Sequence, residues 1–244
     1  MNTKTEKPIL FNTEMVRAIL EGRKSKTRRI LKRPFIEMNG DSCSLRKTEE
    51  DDICFGANWK DCLDVIIGDY APYKPGDILY VRETWAEMPY GYVYRADGEE
   101  PEGWDPNDRW RPSIHMPKEA ARLFLRVKNV EVERLQDSFS HTEAAALEFQ
   151  AEGIELPEDP CLECIEQYGE PCCSDLDTSL SFDESDGTDA EEGSECGWLD
   201  DVKDDFARLW DATIKQQKQE KYGWSENPWV WVITFELIQK GGNL

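Results

Sequence analysis

Hydrophobic positions recur along this chain with two different periods, and those periods sort most of it into elements. Residues 9–11 are a short apolar run, read as a first strand. In residues 13–21, Met15, Val16, Ile19 and Leu20 fall on one side at helical spacing. Gly22 follows, the residue type a helix end prefers. Residues 30–35 suit a strand, whereas residues 38–74 show no period and predict loop or irregular structure. Pro75-Gly76-Asp77 is turn chemistry. After it, residues 78–83 alternate, with Ile78, Tyr80 and Arg82 on one side and Leu79, Val81 and Glu83 on the other. Residues 90–95 predict a second, aromatic strand. Residues 97–117, carrying four prolines with Trp104 and Trp110, predict a structured loop. Residues 123–135 alternate through Leu123, Leu125 and Val127, then change phase at Asn129 to Val130 and Val132. A bend or bulge near Lys128-Asn129 accounts for that change. Ser140-His141-Thr142-Glu143 is a capping-box pattern and predicts a helix running to Gly153. Val202, Phe206, Leu209, Trp210 and Ile214 share one face and predict another helix. Residues 229–238 are apolar on both sides, as in a buried strand.

Five or more strands, short turns and few helices predict an α+β protein built on a small closed barrel. Charge changes this picture in one place. The net charge of -22 is unevenly spread: residues 155–205 carry 19 Asp and Glu against Lys203 alone, and residues 1–35 carry ten Lys and Arg against three Glu. A segment so acidic and so poor in aliphatics cannot offset its ordering entropy. It predicts a disordered insertion, 155–197, within a domain made of 1–154 and 198–244. Such a segment suits a basic protein partner or mimicry of nucleic acid. Cys161-x-x-Cys164 with Cys172 and Cys173 has knuckle-like spacing for zinc, but a second C-x-x-C is missing. Free thiols are therefore favoured, and no cofactor is predicted. No apolar run approaches the ~20 residues that cross a bilayer, and residues 1–7 lead into no signal-peptide core. The expectation is a cytoplasmic protein without membrane association.

Gly22-Arg23-Lys24-Ser25-Lys26-Thr27-Arg28-Arg29 places five cations and two hydroxyls in eight residues. Following a packed helix, it reads as a fixed loop. Arg23, Arg28 and Arg29 could meet phosphate oxygens with their guanidinium forks; a solvated basic turn is the plainer alternative. A lysine against an apolar wall can lose its proton and serve as a base. A threonine becomes a nucleophile only with such a base in reach. The spacing lets Lys24 and Thr27 face one pocket if the loop is tightly turned.

Gly22-x-Lys24-x-x-Thr27-x-Arg29 resembles the G-x-K-x-x-T-x-R signature of the ASCH superfamily. Further stretches resemble the branch common in phages and prophages: Lys7-Pro8-Ile9-Leu10-Phe11, the run from Pro75 to Trp85, Trp110-Arg111-Pro112-Ser113-Ile114-His115-Met116-Pro117, and Asn227-Pro228-Trp229-Val230-Trp231-Val232. The resemblance spans both ends of the chain but not residues 155–205. It implies a PUA-like mixed β-barrel with flanking helices that binds RNA or a modified nucleoside. Some members hydrolyse the amide of N4-acetylcytidine with the motif lysine, the motif threonine and a glutamate on a later helix. The matching positions here are Lys24, Thr27 and Glu152. Ligand-binding positions expected beside them are Arg23, Arg29, Glu83, Trp85 and His115, and Trp85, Trp104 and Trp110 could stack a base. His141, in the first turn of its helix, is expected to be exposed. Two readings compete with hydrolysis. In one, Lys24 simply pairs with Glu83 or Glu152 and the protein binds without chemistry. In the other, the chain is an interaction protein acting through its acidic insertion.

Overall fold

The final strand, β10 (Trp229–Ile238), is the spine of the structure. In a computed structural model of the chain, residues 6–32, 35–39, 42–46, 52–58, 66–98, 100–105, 107–139, 142–156 and 197–238 are described. β10 lies in a five-stranded sheet with β1 (Glu6–Leu10), β2 (Lys26–Ile30), β6 (Ile78–Arg82) and β9 (Phe124–Arg134), in the order β1-β6-β9-β10-β2. β1 and β6 run parallel, and every other pairing in the sheet is antiparallel. β10 is apolar on both sides because it faces two cores. Trp231, Ile233 and Phe235 join Ile9, Leu79, Val81, Leu125 and Val127 on one side of the sheet. Val230 and Val232 join Phe139, Phe149, Phe206 and Trp210 on the other.

The phase change in β9 is a register shift. Thr234 pairs with Asn129 but Phe235 pairs with Val127, so Lys128 is the extra residue, as its sequence position predicted. β3 (Phe35–Asn39), β4 (Ser42–Arg46) and β5 (Asp52–Asn58) form a separate antiparallel sheet. This corrects the expectation of irregular structure after residue 38. Main-chain pairing between sequence neighbours orders these strands without an alternating apolar pattern to announce them. The basic octet is also not wholly a loop, because its second half is β2, paired with β10 from Lys26↔Thr234 to Ile30↔Val230. β7 (Trp85–Met88) and β8 (Gly91–Tyr94) form a hairpin.

Among the described residues the main sheet is open, with β1 and β2 at its edges, so the closed barrel expected from the sequence is not completed by strand pairing. A side chain spans the gap instead: the Arg29 guanidinium donates to the Leu10 carbonyl at 2.7 Å, linking β2 to the end of β1. The helix α1 (Thr13–Leu20) connects the same two strands, capped by the Asn12 side chain on the Met15 amide. Two further helices pack on the Val230–Val232 side: α2 (Thr142–Ala151) and α3 (Gly197–Thr213). α3 begins five residues before the Val202 stripe predicted for it. Ser140, His141 and residues 157–196, with Cys161, Cys164, Cys172 and Cys173, lie outside the described residues. No described helix is long and apolar enough to cross a membrane.

Candidate active site

The turn after α1 brings the basic octet against the C-terminal end of α2. Gly22 takes φ +76° and turns the chain out of α1. The Ser25 amide then donates to the Ala151 carbonyl at 2.9 Å, and the Ser25 carbonyl accepts from the Phe235 amide at 2.9 Å. Gly153 closes the other side with φ +89°. A Cβ there would sit 2.8 Å from Ala18 Cβ and 3.2 Å from Lys24 Cβ, so only glycine permits this approach. Cations now surround the carbonyl end of α2, where the helix dipole favours them. Arg23 Nη1 donates to the Gly153 carbonyl at 2.8 Å, and Lys24 Nζ donates to the Glu152 carbonyl at 2.6 Å.

The Glu152 carboxylate lies between two cations. Lys24 Nζ is 2.8 Å from Oε2, and Arg28 Nη1 is 2.8 Å from Oε1. All three side chains are buried, at 0 % exposure for Lys24, 1 % for Arg28 and 5 % for Glu152. Arg28 also donates from Nη2 to Glu148 Oε2 at 2.8 Å, and to Glu133 from Nη2 at 3.0 Å and Nε at 3.2 Å. Lys26 pairs with the other Glu148 oxygen. Strand geometry explains the grouping. Lys26 and Arg28 are two residues apart, so they share the face of β2 that looks toward α2. Glu148 and Glu152 are four apart at the end of that helix, so they meet them together. Glu133 reaches Arg28 across β10, because Arg28 stands opposite Val232 and Glu133 opposite Val230.

Burial pushes the Lys24 ammonium below the ordinary lysine range, against the pull of Glu152, and Arg29 and Arg28 push the same way as burial. Burial also opposes the Arg28 charge, but Glu152, Glu148 and Glu133 outweigh it and hold that guanidinium above its usual value. For Glu148 burial is likewise overcome, here by hydrogen bonds from Lys26 and Arg28, and its carboxyl is held below the usual range. Arg29 is half-buried with its guanidinium 5.3 Å from the Phe11 ring centre, the same ring that lies 5.8 Å from Lys24 Nζ.

Beside this network is a cavity of about 40 Å³ open to the centre of a water-sized sphere, lined by Thr27, Arg28, Arg29 and Glu152 and roofed by Phe206, Leu209, Trp210 and Thr213 of α3. At about 10–15 Å³ per water it holds a few waters or a group of two or three heavy atoms. Thr27 is buried in its wall, at 2 % exposure.

The other residues singled out in the sequence lie elsewhere. Glu83 does not pair with Lys24. It is buried at 1 % exposure against Arg122, which meets its two oxygens at 3.0 Å each and Asp97 at 2.7 Å. Trp85 does not border the cavity. Its ring is covered by Arg111, 4.9 Å away, and by Tyr92, 5.5 Å away, so it presents no face for a base. Its indole nitrogen has no hydrogen-bond partner among the described residues. Trp104 and Trp110 stack on one another at 4.7 Å. His115 is exposed in a short turn, Ser113–His115, beside Met116. Arg23 is held by Glu21 and Gly153. Among the described residues no group of three His, Cys, Asp or Glu side chains is placed to hold a metal ion.

Sequence reasoning missed Glu148, Glu133 and the α3 roof. Glu148 had a signal, its four-residue spacing to Glu152 on a predicted helix. Glu133 had none, since only the β9–β10–β2 register brings it to Arg28. No family model, no curated protein and no solved structure matches this chain.

Proposed function

We propose that this protein is an amidohydrolase that removes a small acyl group from the amide nitrogen of a modified nucleobase, with N4-acetylcytidine as the type of substrate. The reading combines the resemblance of Gly22-x-Lys24-x-x-Thr27-x-Arg29 to the ASCH superfamily with one observation: a fully buried Lys24–Glu152 pair beside a small cavity walled by Thr27. The PUA-like barrel belongs to the same proposal, with Arg29 and α1 joining the edges that backbone pairing leaves apart.

The chemistry follows from the groups present. Burial lowers the Lys24 ammonium toward the neutral amine, the form that would serve as a base for the Thr27 hydroxyl. The Thr27 oxygen attacks the acyl carbonyl, the carbon–nitrogen bond breaks, and the leaving amine takes a proton delivered through Lys24 and Glu152. Water then hydrolyses the threonine ester and releases the carboxylic acid. The cavity admits an acyl group of two or three heavy atoms, while the nucleobase stays outside it. Lys24, Lys26 and Arg28 are committed to carboxylates within the protein, which leaves Arg29, bonded once to Leu10 and lining the cavity, as the cation of the octet best placed to meet a ligand.

The test is mass spectrometry on purified protein incubated with a panel of N-acylated nucleosides. We expect deacylation of a short-chain member, and a loss of about 10²–10⁴-fold with Lys24→Ala or Thr27→Ala. Thermal stabilisation by a nucleoside or short RNA, with no product from any panel member, would replace this reading with binding alone.

A further inference from the structure

We propose that Arg28 is a positioning residue for this site: its guanidinium holds the Glu152 carboxylate in place against Lys24, and Glu133 and Glu148 hold the guanidinium in turn. The role rests on Lys24 and Glu152 being the working pair.

A carboxylate at the end of a helix has several rotamers open to it, and ordering a glutamate has an entropic cost. Here Oε2 and Oε1 are each engaged, by Lys24 and by Arg28 at 2.8 Å. Glu152 therefore cannot turn without breaking a buried ion pair. Arg28 is fixed just as firmly, because Nε and Nη2 reach Glu133, Nη2 reaches Glu148, and the guanidinium carbon lies 4.7 Å from the centre of the Phe139 ring. A lysine at this position could not do this, since a point-like ammonium lacks the planar fork that meets three carboxylates at once.

The arrangement also sets the charge around Lys24. Four cations face three carboxylates: Lys24, Lys26, Arg28 and Arg29 against Glu133, Glu148 and Glu152. Tyr73 lies beside Arg29. α3 contributes only Phe206, Leu209, Trp210 and Thr213 to the cavity wall. The cluster therefore carries one excess positive charge, and buried Lys24 can shed it by losing its proton. Glu152 alone would stabilise the ammonium, but sharing that carboxylate with Arg28 weakens its hold. Removing Arg28 should leave Glu152 to Lys24 and make Lys24 harder to deprotonate.

The experiment is a pH titration of the lysine side-chain ¹³Cε resonances in the full-length protein, with Lys24 assigned by its disappearance in Lys24→Arg. In Arg28→Gln the Lys24 midpoint should rise by about one unit or more. Arg28→Lys keeps the charge and is the variant to use if Arg28→Gln does not fold. In it the midpoint should still rise, by less, because Glu152 is no longer clamped. A Lys24 midpoint equal to that of the unaltered protein, in either folded variant, would overturn the proposal. Against an N-acyl nucleoside, the acid limb of the pH–rate profile should move up with the midpoint, kcat should fall, and KM should stay near its original value. An unaltered protein that hydrolyses none of the panel would defeat the amidohydrolase reading alone, since the Lys24 titration is read without substrate.

Discussion

Two carboxylate clusters of this protein are each centred on an arginine and behave in opposite ways. Around Arg28, each glutamate shares cations with its neighbours, and Glu148, taking Lys26 and Arg28 together, is held below the usual carboxylate range. Around Arg122, one guanidinium serves both Glu83 and Asp97 while stacking on Tyr94 at 4.0 Å. Burial wins there, and Glu83 is pushed above the usual range despite two hydrogen bonds from Arg122. Glu148 keeps 19 % of its side chain exposed and Glu83 only 1 %. The comparison teaches that a buried ion pair does not by itself decide which state a carboxyl prefers. The number of cations each carboxylate can draw on, set against its loss of water, decides it.

The largest effect should come from neutralising each centre with an isosteric amide. Glu152→Gln takes from buried Lys24 the carboxylate it pairs with and leaves Arg28 with Glu133 and Glu148, and we expect a loss of about 3–5 kcal/mol in urea unfolding. Glu83→Gln keeps the shape, and the carboxyl it replaces already leans toward its neutral form. Its expected loss is about 1 kcal/mol. Equal losses would break the comparison.

pH should separate the same clusters with opposite signs. Glu148 has a folded-state value below its unfolded one. Its contribution is therefore complete above the unfolded value of about 4.3 and is lost as pH falls toward the folded value. Glu83 has a raised folded-state value, so its folded form binds more protons in the window above about 4.3. Its contribution is present below that window and declines as pH rises through it. The stability difference between the unaltered protein and Glu148→Gln should shrink on acidification below about pH 4.3, whereas the difference for Glu83→Gln should shrink on raising pH through the window. Parallel pH profiles for the two variants would refute the assignment.

The smallest effect sharpens the contrast with the surface. Arg126 and Lys128 meet Glu236 across β9 and β10, with Arg126 and Glu236 about two-fifths exposed. Solvent and salt screen such pairs, and Arg126→Ala should leave the urea unfolding midpoint almost unchanged, with any small shift vanishing at high salt.

The candidate site was partly legible before any fold was known. Lys24, Thr27 and Glu152 were named from a motif and a helix end, and the structure places Lys24 against Glu152 with Thr27 at the adjoining cavity. Of the arginines assigned to a ligand, Arg23 donates to Glu21 and Gly153, and Arg29 donates from one nitrogen to the Leu10 carbonyl and lines the cavity. A run of cations in a sequence carries no information about which carboxylates will face it. Glu83, Trp85 and His115 were grouped with the site, and the structure pairs Glu83 with Arg122, covers Trp85 with Arg111 and Tyr92, and leaves His115 exposed.

By itself the sequence determined the elements whose apolar pattern is strong: α1, β6, β9 with its extra residue at Lys128 and α3 by their period, and β10 by its continuous apolar run. Their side-chain patterns must match a buried face whatever the partner, so the pattern can be read locally. Only the tertiary structure decided that β2 begins inside the basic octet, that Arg29 rather than strand pairing links β1 to β2, and that Arg28 meets Glu133, Glu148 and Glu152. Those outcomes depend on register between strands far apart in the chain and on desolvation of charges, and neither is written in the residues next to them.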